Sequence, residues 1–228
     1  MWSDLAHYKR SMDAGVHELF WEDWEKKHYI KDLRYIVASG NALMSSNKKL
    51  IKSPADMAGQ KIRAPGAFLP TFIKKCGAAG VSTSGAEAYL AMQRGVVDGG
   101  CSQLSSYISR KWYEVQKYYT TGPWMFACQH TIINRDVWNS FTPEIQKILW
   151  DADREAYEDS FEYIEKLDEE NLKFIEEQAV AQGGAMYRPT AEEVAAFMPF
   201  AEDCIKDWLA KEPNPNGQKV LDIIADTM

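Results

Sequence analysis

The sequence predicts an α/β protein, and three observations carry that reading. Helix-periodic and strand-like segments alternate along the chain. Glycine and proline punctuate the joins between them. One helical pattern runs without a break across residues 142–183, far beyond an average globular helix. With 46% apolar residues in 228, the chain can bury a sizeable core.

Residues 4–29 read as one or two amphipathic helices, with Leu5, Tyr8, Met12, Val16, Leu19, Phe20 and Trp24 at helical spacing. A strand follows at Arg34–Ala38, then a polar connection over 45–53. Lys61-Ile62-Arg63-Ala64 is the next strand, stopped by Pro65-Gly66. Helices are expected at Leu69–Cys76 and Gly85–Gln93. Gly-Val-Val-Asp-Gly-Gly at 95–100 reads as a buried strand ending on a glycine pair, where the backbone can approach a ligand or another chain. Residues 103–117 read as helix and Phe126–Asn134 as a central strand. Thr142-Pro143-Glu144 is a strong helix start: a capping hydroxyl, a first-turn proline and a carboxylate facing the positive helix end. The helix it opens would be roughly 60 Å long, so it should cross more than one packing unit. Its acidic residues read as a solvated face. A short strand (Ala185–Arg188) and two helices, about 190–210 and 216–227, complete the chain.

The net charge of −7 excludes a nucleic-acid backbone as partner, since phosphate binding needs clustered Lys and Arg. A single buried Arg can still hold a small anion against that charge. No run of about 18 apolar residues occurs. The chain opens Met1-Trp2-Ser3-Asp4-Leu5, without a basic start or an apolar stretch. That is expected of a cytosolic protein or of one whose secreted front end has been removed. Cys76, Cys101, Cys128 and Cys204 are widely spaced, with no Cys-x-x-Cys pair for zinc or redox chemistry. No nucleophile elbow, phosphate loop or His-Glu-x-x-His is present. His130, in a strand-like run, reads as a satisfied core residue rather than a ligand. No metal and no cofactor is expected.

Three features suit binding. Arg63, at a strand end before Pro65-Gly66, either presents its planar fork to a carboxylate or makes a surface salt bridge. Gly100, Ser102 and Gln103 offer small polar groups at a glycine-rich strand end. Trp124, behind Gly122-Pro123, either stacks on a ligand or fills core space.

Taken in order, four blocks resemble the solute receptors of TRAP (tripartite ATP-independent periplasmic) transporters, over roughly residues 5–210. They are Ser53-Pro54-Ala55-Asp56-Met57-Ala58-Gly59-Gln60-Lys61-Ile62-Arg63-Ala64-Pro65-Gly66; Ala86 through Gly99 (AEAYLAMQRGVVDG); Lys111-Trp112-Tyr113-Glu114-Val115-Gln116-Lys117-Tyr118; and Ile133-Asn134-Arg135-Asp136-Val137-Trp138 followed by Thr142 to Ile148. The resemblance implies a periplasmic-binding-protein type II-like fold, with two lobes linked by hinge strands and one long helix. It places 1–40 plus 129–168 in a partial first lobe and 41–128 plus 169–228 in the second. It also implies a periplasmic receptor that closes on a small organic acid and delivers it to a TRAP membrane permease. The Arg of the Lys-Ile-Arg strand, here Arg63, would bind the ligand carboxylate, with Ser84, Gly85, Gly100, Ser102, Gln103 and Trp124 around it.

Departures from the family pattern are informative. Ser84-Gly85 stands where many members have an aromatic residue, Ser102 replaces a common Asn, and a second basic position falls on Leu43. The pocket is therefore expected to suit a smaller or more apolar acid than sialic acid. Because the pattern is entered partway through the first lobe, that lobe is expected to be incomplete, with an unpaired sheet edge that would favour self-association. Two rival readings stand beside the receptor. One is an α/β enzyme acting on a small carboxylate through a Cys or Asp98; the other is a truncated remnant that binds nothing.

Overall fold

Why these segments fold as they do is visible element by element in a computed structural model, which describes residues 3–211 and 216–228. The chain opens with α1 (Leu5–Ser11) and α2 (His17–His28), joined through a π-turn (Met12–Val16). Then come β1 (Ile30–Ser39), β2 (Ala42–Ser46), α3 (Pro54–Met57), β3 (Lys61–Ala64), α4 (Phe68–Lys75) and β4 (Ala79–Ser82). Next are α5 (Gly85–Gln93), β5 (Gly99–Gln103), α6 (Leu104–Ser109), a 3-10 turn (Trp112–Glu114), β6 (Tyr118–Gly122) and β7 (Ala127–Asn134). The chain closes with α7 (Arg135–Ser140), α8 (Pro143–Ala181), β8 (Ala185–Tyr187), α9 (Ala191–Ala195), α10 (Met198–Lys211) and α11 (Gly217–Asp226).

These elements form two units. One comprises Met1–Gly40, Phe126–Lys166 and Pro213–Met228, and the other Asn41–Met125 and Leu167–Glu212. In the first, β1 pairs antiparallel with β7, with register irregularities between Asp32 and Tyr35 and between Val37 and Ser39. Residues 126–134 read as a central strand from their apolar content. Among the described residues β7 pairs only with β1, and its side chains are mostly part-exposed or exposed. The reason is in the run itself: Gln129, His130 and Thr131 interrupt it, as suits a two-stranded ribbon. The expected boundaries assigned 169–228 to the second lobe, but α11 lies in the first unit. Its Val220 and Ile224 pack with Val16, and His7 Nε2 lies 2.7 Å from the Ile224 carbonyl.

The second unit is built on a six-stranded sheet, β4-β3-β5-β2-β6-β8. β3 runs parallel to β4 and β5, β2 antiparallel to β5 and β6, and β6 parallel to β8. Alternation along the strands sorts the side chains onto two faces. Ala42, Met44, Ile62, Ala64 and Cys101 join one core with Phe72, Ile73 and Phe197. Leu43 and Tyr119 join the other with Tyr107, Trp112, Leu172 and Ile175.

Helix α8 has 39 residues, about 58 Å at 1.5 Å per residue. Its buried stripe serves both units: Tyr157, Phe161 and Ile164 fall in the first, and Leu172, Ile175 and Ala179 in the second.

Residues 95–100 were expected to be a strand ending on glycines. Instead the strand begins there, because Gly99 lies hard against β2: a Cβ at this position would come within 1.8 Å of the Ser45 carbonyl oxygen. The close neighbour is the protein's own backbone.

Candidate functional site

Arg63 owes its position to a well-anchored strand. A capping box of Ser53 and Asp56 starts α3, and Gly59 turns the chain at φ +72° just before β3. Asp98 then fixes the start of β3. Its carboxylate accepts from the Lys61 N–H at 2.8 Å, its own N–H donates to the Lys61 carbonyl at 2.7 Å, and Lys48 Nζ lies 2.9 Å from it. Burial works to raise the Asp98 pKa, but the bonds from Lys48 and the Lys61 N–H hold it below the ordinary 3.8. Asp98 is thus committed to structure, which removes its part in the enzyme reading. The thiols of Cys76 and Cys101 are pushed up to about 12 by burial and stay protonated, unsuited to nucleophilic attack.

Ile62 and Ala64 point into one core, so Arg63 points to the opposite face, above Gly100, its partner in β5. The guanidinium does not reach bulk water: Arg63 is only 4% exposed. Its Nε and Nη2 both donate to the Thr83 carbonyl, at 3.1 and 2.7 Å, and the group lies over the Trp112 ring, 5.2 Å from its centroid. Among the described residues no carboxylate forms an ion pair with it. Burial draws the Arg63 pKa down, Tyr107 opposes this, and Arg110 adds to it. Two further polar atoms around this guanidinium, Thr83 Oγ1 and Trp112 Nε1, are buried without a hydrogen-bond partner. A buried, uncompensated cation flanked by unsatisfied polar atoms suits a small anion with hydrogen-bonding oxygens.

The other expected site residues occupy mixed positions. Ser84 caps α5: its hydroxyl donates to Glu87 Oε2 at 2.8 Å and accepts from the Glu87 N–H at 3.3 Å. Gly85 abuts Arg110, where a Cβ would come within 2.7 Å of the guanidinium carbon. Gly100 has its N–H on Ser45 Oγ at 3.1 Å, while its carbonyl accepts from the Tyr107 hydroxyl at 2.7 Å. Ser102, two residues on and on the same face, is buried, and Gln103 is half-buried at the head of α6. Trp124 packs edge-on against Phe197 at 4.9 Å and donates from Nε1 to the Thr120 carbonyl at 3.2 Å. Of its two sequence readings, core filling describes these contacts. Sequence reasoning passed over Thr83, Trp112 and Arg110. Trp112 was visible only as part of a helical block, and Arg110 carries no local signal that would bring it to Gly85.

A second polar cluster lies in the first unit, where His130 was expected to be a satisfied core residue. Asp32, only 2% exposed, sits between two imidazoles. His17 Nε2 is 2.8 Å from its Oδ2 and His130 Nδ1 is 3.2 Å from its Oδ1. Burial disfavours a charged His130, but contacts with Asp32 and Cys128 outweigh it and raise the pKa to about 9.

Comparison with known proteins bears on these sites. The family model for bacterial extracellular solute-binding protein, family 7 (DctP), matches residues 1–212. The C4-dicarboxylate-binding protein DctB of Bacillus subtilis is 28% identical over 179 residues, 78% of this chain and 50% of that protein. The chain thus spans about half the length of the curated relatives it matches. A TRAP periplasmic solute-binding protein from Sulfurospirillum deleyianum, solved with bound succinate, superposes with a TM-score of 0.81 at 29% identity, covering 97% of this chain and 72% of that one. Another, from Desulfovibrio desulfuricans with bound sn-glycerol-3-phosphate, gives 0.85 at 26% identity, covering 98% and 70%. No described helix is long and apolar enough to cross a membrane.

Proposed function

Since the chain belongs to the family-7 bacterial extracellular solute-binding proteins, we propose that it serves as a periplasmic receptor for a small organic acid, which it passes to a TRAP-type membrane permease. Arg63 grips the ligand carboxylate in this reading. The observation that carries it is that guanidinium, buried in the second unit with a carbonyl and a ring for company and no carboxylate to balance its charge. Holding an unpaired charge out of water is costly, and an anionic ligand offsets that cost on binding. No bond of the ligand is broken; capture is the whole of the chemistry.

Ser102 supplies a polar contact on the same side of the sheet, Gln103 stands at the strand's end at the head of α6, and Thr83 Oγ1 is available to a ligand oxygen. Leu43, where some family members carry a second base, is fully buried in the core. Arg110, beside Gly85, supplies a second positive charge from a different direction, so a short diacid fits this arrangement. The succinate bound by the Sulfurospirillum protein is an acid of that kind.

Thermal unfolding with succinate and with its neutral isostere succinamide tests the reading. Succinate is expected to raise Tm in a concentration-dependent way by binding the native state, and succinamide to leave it unchanged. Equal shifts with both, or none with any of a panel of small mono- and diacids, would remove the acid-receptor reading.

A further inference from the structure

We propose that His17, Asp32 and His130 form a binding site for a divalent transition-metal ion of the zinc type, separate from the Arg63 site. The fold assembles the three side chains from distant points in the sequence. His17 opens α2, directly after the break at Gly15, where φ is +104°. Asp32 stands on β1 opposite Ile132 of β7. His130, two residues from Ile132, projects from the same face of the ribbon. The ligand atoms of all three lie within 4.8 Å of one another.

The spacing suits an ion. Donors about 2.0–2.2 Å from a tetrahedral zinc stand roughly 3.3–3.6 Å apart. Here the histidine nitrogens stand 2.8 and 3.2 Å from the two carboxylate oxygens, and the three ligand atoms lie within 4.8 Å of one another, so side-chain adjustments of about an ångström would gather them around one ion. The two imidazoles are nearly parallel, at 15°, with centroids 5.9 Å apart, and they flank the carboxylate. Asp32 Oδ2 is buried, and its neighbour is His17 Nε2 at 2.8 Å, which also lies 3.0 Å from the Leu33 carbonyl. A cation held by the carboxylate and both imidazoles would replace these contacts with metal bonds.

The surroundings add to this. His130 Nε2, the nitrogen turned away from Asp32, lies 3.6 Å from Cys128 Sγ, an outer contact that fixes the ring as such contacts do around bound zinc. Two imidazoles and one carboxylate favour zinc, copper or nickel over calcium or magnesium. Three protein ligands leave a fourth position open. A cavity of about 250 Å³, lined by His17, His130, Cys128, Trp21 and Phe20 among others, gives that position access to a solvent molecule or small anion.

The test uses tag-free protein, freed of metal with a chelator and titrated with Zn²⁺ by calorimetry and with Co²⁺ by visible absorption. One ion per chain is expected, with the intense visible bands of tetrahedral Co²⁺ and affinity that rises with pH as the metal displaces imidazole protons. H130Q and D32N should each weaken binding at least about 100-fold, whereas R63M should bind the ion as the wild type does. Should both ligand variants fail to fold, the wild-type Co²⁺ spectrum decides, since only a tetrahedral signature supports the site. No stoichiometric binding, a weak octahedral Co²⁺ spectrum, or undiminished affinity in a folded H130Q would overturn the proposal and leave the cluster a hydrogen-bonded part of the core.

Discussion

Replacing Arg63 with methionine keeps an unbranched stem and removes the charge, and it should separate binding from folding. In the ligand-free protein three effects compete. The Thr83 carbonyl loses both donors, at 3.1 and 2.7 Å, and an unsatisfied buried acceptor costs about 1–3 kcal/mol. The contact over the Trp112 ring contributes about 0.5–2 kcal/mol. Against these, relieving a buried and unpaired charge returns several kcal/mol. The sum stays within about 2 kcal/mol of zero, so Tm should move by less than about 8 °C in a chain of this size. Binding has no such offset. A ligand carboxylate facing methionine is left buried without its partner, at about 3–5 kcal/mol, or roughly 10² to a few times 10³ in Kd. At succinate near 100 times the wild-type Kd, ligand stabilisation of about 2.7 kcal/mol falls to about 0.4 kcal/mol after a 100-fold loss of affinity. Paired melts with and without succinate read both quantities. An R63M protein that keeps the full succinate-induced shift would show that Arg63 does not hold the ligand carboxylate.

Other substitutions probe the frame around the site. Gly99→Ala drives a Cβ into the Ser45 carbonyl, a backbone group that cannot swing away; a loss of about 3 kcal/mol or more is expected in a urea melt. Gly85→Ala meets only the movable Arg110 guanidinium. The fold should keep its stability or gain about 0.5–1 kcal/mol from helix propensity, while succinate affinity measured by calorimetry changes. Asp56 and Asp98 both have pKa values below the ordinary 3.8; burial opposes this, and bonds from Lys49, Ser53 and Lys52 at Asp56 and from Lys48 and Lys61 at Asp98 outweigh it. Groups depressed on folding contribute stability that is complete above pH 4 and is lost as pH falls through their folded values. Acid titration of Tm should therefore be less steep below pH 4 in Asp98→Asn than in the wild type, and parallel curves would remove Asp98 from the account.

The parts of the fold written in local pattern were legible. Strand β3 stands at Lys61–Ala64 and α5 at Gly85–Gln93, where periodicity and glycine–proline punctuation placed them. The long helix was marked by its Thr-Pro-Glu start and by apolar residues every three or four positions. Strand β2 was missed because its Ser45 and Ser46 read as linker. Both are buried, and their hydroxyls are satisfied by Gly100, Tyr107 and Gln60 across the sheet. Periodicity cannot register a polar residue whose partner is 14 or 55 positions away. The same limit governs the sites. Arg63 was visible from its place in a family motif, but Thr83 and Arg110 become its neighbours only through the tertiary fold. Likewise His17, Asp32 and His130 carry no spacing signature, since strand pairing brings Asp32 near His130 and the packing of α2 on β1 brings His17 to them.

The most direct test watches the Arg63 guanidinium itself. In a ¹⁵N-labelled protein, the arginine Nε–Hε resonance missing from R63M belongs to that side chain, held by the Thr83 carbonyl in the free state. Adding succinate should shift this resonance and slow its exchange with water, in step with saturation measured by calorimetry. A resonance that stays put while succinate saturates the protein would contradict the assignment of Arg63 as the carboxylate anchor.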